Sequence, residues 1–175
     1  MNAERSRVGL HVRRILAVIV LLAILGFGTF AALLTSWSEL RTVAVADAEA
    51  ELAAASAVAG AGPPLVTIAE NGSVSVNREL EGAEALKLKH LHLLVWEPGR
   101  EKLLRIDFPW WFAKVKMTHS LNLGTLTTVL AGDWKQLDLK ITEDDLERCG
   151  PGLVLDHVRA DGGRILLWTS AAPAE

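Results

Sequence analysis

Three stretches of the chain alternate apolar and polar residues around turn residues, the signature of paired β-strands. In LVTIAENGSVSVN a two-residue loop at Asn71-Gly72 would pair Ile68 with Ser75 and Val66 with Asn77. A three-residue loop, Glu70-Asn71-Gly72, instead pairs Ile68 with Val74 and Val66 with Val76. That register gathers the β-branched residues on one face and gives Gly72 the left-handed position of a bulged turn, so it is the one expected. In LKLKHLHLLVWEPGREKLLRIDF, opposing Val95 to Leu104, Leu93 to Ile106 and Leu91 to Phe108 makes a continuous apolar face. The same register sets Glu97 against Lys102 and leaves residues 98–101 as the loop, so charge and hydrophobic pattern agree. The last stretch, LVLDHVRADGGRILLWT, is expected to turn at Gly162-Gly163 with Asp161 opposite Arg164. A turn at Asp161-Gly162 would oppose Arg159 and Arg164, an unfavourable pair.

Between these hairpins the spacing becomes helical. Pro109 opens PWWFAKVKM, where proline is tolerated in a first turn. Phe108, Trp111, Phe112 and Val115 fall on one helical face, which turns Trp110 away towards Lys114 and Met117. LGTLTTVLAG predicts a second short helix ending at Gly132, and WKQLDLKI alternates through Leu137, Leu139 and Ile141. Thr142 with Asp145 forms a variant capping box, with Ile141 and Leu146 at hydrophobic-staple positions. Gly150-Pro151-Gly152 stops that helix. Upstream, SWSELRTVAVADAEAELAAASAVA is rich in Ala, Glu and Leu, strong helix formers. Its larger apolar positions, Leu40, Val43 or Ala44, and Leu52, make a thin stripe, so a stalk helix is expected, ending at Gly60-Ala61-Gly62-Pro63-Pro64.

The run between Ile15 and Leu34, ILAVIVLLAILGFGTFAALL, has no charged residue. A bilayer core ~30 Å thick needs roughly 20 apolar residues, so residues 15–34 are long enough to span it. A cleaved signal has a shorter apolar region, of about 7–15 residues. The A-x-A site Ala44-Val45-Ala46 lies well beyond the run, so an uncleaved signal anchor is expected. Gly28 and Ala32 form a small-xxx-small pair that would let two copies pack as a homodimer. Arg5, Arg7, Arg13 and Arg14 against Glu4 give the tail a net +3, leaving 14 basic and 20 acidic residues in the remainder. Basic residues stay on the cytoplasmic side of a span, so the tail is expected inside and the rest outside a bacterial inner or cell membrane. The expected architecture is α+β. It has a cytoplasmic tail over 1–14, a single transmembrane helix over 15–35, a helical stalk and Gly/Pro linker over 36–62, and an extracytoplasmic antiparallel, hairpin-rich domain with two to three short helices over 63–172.

Charge and residue chemistry narrow the function classes. The net charge of −3 and acidic remainder lack the basic stripe that nucleic-acid binding requires. Cys149 is the sole cysteine, so no disulfide forms within the chain. His90 and His92, at i and i+2 on a strand, project to one face as two metal ligands would, but zinc needs a third and usually a fourth. His119, His157, Asp156 and Cys149 stand at no recognised ligand spacing, so a solvated polar face is the expected reading and neither metal nor cofactor is assigned. The chain has no nucleophile elbow and no phosphate-cradling glycine loop. Asp107, His119 and Asp156-His157 are the groups available for acid–base work, and no pattern converges them, so no catalytic residue is assigned. Glu143-Asp144-Asp145 is favourable charge at a helix N-terminus, without the spacing of a calcium loop. Trp110, with Lys114 and Met117 beside it, is therefore the expected interaction surface, suited to a protein partner or a membrane surface.

LLRIDFPWWFAKVKM and the later TEDDLERCGPGLVLDHVRADGGRILLW also carry a family resemblance. The order of strand, proline, amphipathic helix, second helix, glycine-rich step and terminal hairpin resembles a small module of uncharacterised bacterial proteins. Envelope-stress proteins of the LiaX/YvlB type are among them. The resemblance spans residues 91–169 and is structural. It implies an envelope setting, with no catalytic signature and no reaction. The chain departs from that pattern in its N-terminal apolar run and in lacking the long β-rich partner domain.

Overall fold

The computed structural model describes residues 36–82, 84–117, 121 and 139–171. The chain divides into two compact units, Met1–Trp37 and Ser38–Glu175, and the fold described is that of the second. In chain order its elements are β1 (Ser38–Thr42), α1 (Val45–Ala59), β2 (Val66–Ile68), β3 (Val74–Val76), β4 (His90–Glu97), β5 (Lys102–Pro109), α2 (Trp110–Lys116), α3 (Glu143–Cys149), β6 (Gly152–Val158) and β7 (Arg164–Ser170). Among the described residues the strands form one seven-stranded sheet in the order β1-β5-β4-β7-β6-β2-β3.

Two hairpins take the registers that alternation predicts. Val66 pairs with Val76 and Ile68 with Val74, and Gly72 adopts φ +77° in the turn. Leu91, Leu93, Val95 and Glu97 face Phe108, Ile106, Leu104 and Lys102. The β6–β7 hairpin differs from expectation. Its last pair is Val158 with Arg164, and the loop closes by Arg159 N–H donating to Gly163 O and Gly162 N–H to Arg159 O. Asp161 accepts from the Gly163 N–H, an Asx turn that outcompetes the two-residue Gly-Gly turn.

The expected architecture needs a larger correction. The sheet is mixed, because β2 runs parallel to β6 with Val66 beside Leu155. The expected stalk is part of the domain. Residues Ser38–Thr42 are a strand on the outer edge of β5, with Leu40 beside Leu104, and α1 follows after a break at Val43 and Ala44. Helix propensity gave way to the hydrogen bonds that the β5 edge offers. The helix α1 places Ala48, Leu52, Ala55 and Ala59 on one stripe against Leu94, Trp96, Leu103, Leu166 and Trp168. Small alanines let its backbone come close to the two indoles. Among the described residues no helix is long and apolar enough to cross a membrane. The apolar run 15–34, with Gly28 and Ala32, lies outside the described residues, as do the helix expected from LGTLTTVLAG and most of the WKQLDLKI strand.

The other face of the central strands carries Leu91, Leu93, Val95, Leu104, Ile106, Ile165 and Leu167, all buried. Helix α2 adjoins this side through the Phe108 and Phe112 rings, 5.2 Å apart. At α3 the expected cap is complete. Thr142 Oγ1 accepts from the Asp145 N–H while the Asp145 carboxylate accepts from the Thr142 N–H, and Ile141 and Leu146 are both buried.

Candidate functional site: a serine–histidine–aspartate relay on the sheet

Strand alternation sends His90, His92, Leu94 and Trp96 to the face that α1 covers in part. The β4–β5 register places Asp107 directly across from His92. On the other flank, β7 sets Trp168 beside His92 and Ser170 beside His90. The side chains then meet in line. His92 Nδ1 lies 2.5 Å from Asp107 Oδ1, and His92 Nε2 lies 2.8 Å from Ser170 Oγ. The imidazole is 1% exposed. It stacks on the Trp168 indole at 4.9 Å and near the His90 ring at 5.8 Å, both within 16° of its plane.

Charge decides which atoms donate. Burial alone would raise the Asp107 pKa, but hydrogen bonds from His92 and Arg105, with the guanidinium charge, outweigh it and leave it lowered. An ionised carboxylate only accepts, so Nδ1 of His92 carries the proton and donates. In the neutral ring Nε2 is then the acceptor, and the Ser170 hydroxyl donates to it. Arg105 Nε donates to the second Asp107 oxygen at 3.0 Å and its Nη1 lies 3.8 Å from Glu51 on α1. Arg41 on β1 donates to both Glu51 oxygens at 2.9 and 2.6 Å. One polar network thus runs from the edge strand through α1 and β5 to the relay. The Trp168 indole N–H is buried and has no hydrogen-bond partner among the described residues.

The structure disperses most groups proposed for metal or acid–base roles. His119 lies outside the described residues. Asp156 is held by Arg164 at 2.8 and 2.6 Å, and its neighbour His157 faces Ile165 across β7. Cys149 is a free, half-buried thiol whose pKa burial raises, with Glu81 adding to the effect. Among the described residues no group of three or more His, Cys, Asp or Glu is placed to hold a metal.

The expected surface of Trp110, Lys114 and Met117 is corrected. Trp110 is 6% exposed and Met117 is buried, while Trp111 is 60% and Val115 69% exposed. Phe108 caused the misphasing. It belongs to β5, whose strand continues through Pro109, so it cannot set the phase of a helix beginning at Trp110. With Phe108 removed, Trp110, Ala113 and Met117 form the inward stripe at i, i+3 and i+7. The Trp110 indole N–H donates to Glu147 at 2.8 Å, and Lys114 Nζ lies 2.6 Å from Glu143 and 3.4 Å from Glu147. These residues are the seam between α2 and α3.

No family model, curated protein or solved structure matches the chain. The site therefore stands on its geometry. His92 and Asp107 were within reach of the sequence, since the hairpin register pairs them. Ser170 was not, because it arrives through β4–β7 pairing, 78 residues from His92.

The relay sits in a pH-sensitive setting. Burial, and then the neighbouring His92 and Lys89, lower the His90 pKa against the opposing pull of Asp107. Burial and Arg159 lower that of His157, against Asp156. A base with a lowered folded pKa takes its proton more readily in the unfolded chain, so stability drains as pH falls below the unfolded histidine value of about 6.5. Asp107 and Asp145, both lowered, hold stability that is present above about pH 3.9 and lost beneath it. The urea midpoint is expected to decline from pH 7 to 5 and again below 4. The double variant His90→Gln, His157→Gln should flatten the first decline. A midpoint constant between pH 7 and 5 would contradict this.

Proposed function

We propose that the domain is an extracytoplasmic binding module that captures a protein partner through the exposed face of α2. The observation that carries this is the phase of that helix. Trp111 and Val115, at i and i+4, are neighbours on one face and both are largely exposed. Trp combines a large apolar ring with a donor at its edge, which is why it is enriched among the residues that dominate interface energetics. The ring is braced by an edge-on contact with Phe112 at 5.8 Å, which limits the entropy lost when a partner immobilises it. The extracytoplasmic placement rests on the arginine-rich tail and acidic remainder, and the envelope setting on the resemblance of residues 91–169.

A photo-crosslinking residue at position 115 of the full chain, expressed in bacteria, tests this. One partner should be trapped, and excess unlabelled wild-type protein should compete it away where the Trp111→Ala protein does not. Trapping that is indifferent to Trp111 would sink the reading. A C-terminal alkaline phosphatase fusion should be active and the matching GFP fusion dark; bright GFP would reverse the placement.

A further inference from the structure

We propose that Ser170, His92 and Asp107 form a nucleophilic acyl-transfer centre that hydrolyses esters of short, uncharged acyl groups. It is independent of the α2 surface. A serine hydroxyl is a weak nucleophile until a base accepts its proton, and the base works best when a third group fixes its tautomer and orientation. Both conditions hold here. Ser170 Oγ is 2.8 Å from His92 Nε2; His92 Nδ1 is 2.5 Å from Asp107 Oδ1; and Arg105 holds the other carboxylate oxygen at 3.0 Å. Burial is graded as the chemistry requires, with the imidazole shielded and Ser170, at the end of the last strand, half-exposed. The three residues come from three adjacent strands in the middle of the sheet, a rigid support for a reacting group.

The step balances without a co-reactant other than water. Ser170 Oγ bonds to the acyl carbon as its proton passes to His92 Nε2. The bond from that carbon to the alcohol oxygen breaks, and the alcohol leaves with the proton from Nε2. Water then attacks the acyl-serine, giving one proton to Nε2. The acid departs and Ser170 Oγ recovers that proton. Asp107 remains ionised throughout as a positioning residue. The acyl group is expected to be uncharged because Arg105 and Asp107, the charges within the relay, neutralise each other, and small because the His90 and Trp168 rings crowd the imidazole.

The test uses the purified full chain with p-nitrophenyl acetate for turnover and diisopropyl fluorophosphate for trapping. In the trapping reaction the Oγ–P bond forms, fluoride leaves and the serine proton passes through His92 to solvent. Peptide mass mapping should place one adduct per chain on Ser170. Ser170→Ala should abolish both turnover and adduct, and His92→Gln should slow both at least about a hundred-fold. Asp107→Asn should slow them similarly, with part of the rate restored by Asp107→Glu, a rescue that a merely structural role would not produce. Mapping on the wild-type protein needs no variant to fold. Folded wild type that gains no adduct at Ser170, or an adduct whose rate ignores Asp107→Asn, would overturn the proposal.

Discussion

Trp110→Ala is expected to destabilise the protein by about 3–5 kcal/mol, the usual cost of removing a buried Trp, while Trp111→Ala should stay within about 0.5 kcal/mol. The two residues are adjacent and chemically identical, so propensity and composition cancel in the comparison. Trp110 is 6% exposed and its ring lies where α2 leaves β5. Its backbone N–H donates to Lys89 O at 2.7 Å, and its indole N–H holds Glu147 on α3. Truncation removes a core side chain and withdraws a donor from a half-buried carboxylate, and both effects are unfavourable. Trp111, 60% exposed, has far less of its ring buried to lose. With urea slopes of about 1–3 kcal/mol/M, the Trp110 variant should lose at least about 1 M in midpoint. Circular dichroism is the suitable probe, since fluorescence would change with the ring. The reverse ranking would return Trp110 to the surface and put Trp111 in the core.

A chain that begins at Pro63 is expected to aggregate or to remain unfolded, although the Gly/Pro step before it reads as a domain boundary. It would lack β1, which completes the β5 edge, and α1, which covers Leu94, Trp96, Leu103, Leu166 and Trp168. Each such side chain contributes roughly 1.5–3 kcal/mol when fully buried. Partial exposure of five of them rivals the whole stability of a typical domain, about 5–15 kcal/mol. The bared β5 edge would also be free to pair with other chains. A chain beginning at Ser38 retains these elements and should unfold in one cooperative transition. Light scattering and size-exclusion chromatography separate the two outcomes. A monomeric, cooperatively folding chain from Pro63 would make α1 an accessory.

What the sequence disclosed and what it withheld divide by distance along the chain. The register that joins Leu93 to Ile106 follows from alternation and a short loop, and it carries His92 to Asp107 as well. The cap at Thr142 and Asp145 is likewise encoded within four residues. The partners of β1 and β7 are not local. Leu40 beside Leu104 and His92 beside Trp168 depend on which apolar faces cover each other once the sheet assembles. An Ala-rich segment is then read by propensity alone, which gives α1 its helix but not the sheet beneath it. The α2 phase failed for a different reason. A strand and a helix meet at Pro109 without a loop, so one apolar pattern runs across two periodicities.

The place of β7 in the sheet has a consequence for how the protein is made. It is the last of the described strands to be synthesised, yet it sits fourth among the seven of them, between β4 and β6. While the ribosome is still extending the chain, the β4–β5 hairpin and β1 can form a three-stranded piece whose inner edge is open. The β2–β3 hairpin has no route to that piece except through β6 and β7. Closure must therefore wait until β7 has been made and can enter between β4 and β6, so the sheet completes in a single late step with large loop-closure entropy. Until then the unfilled edge of β4 is the surface that chaperones must guard.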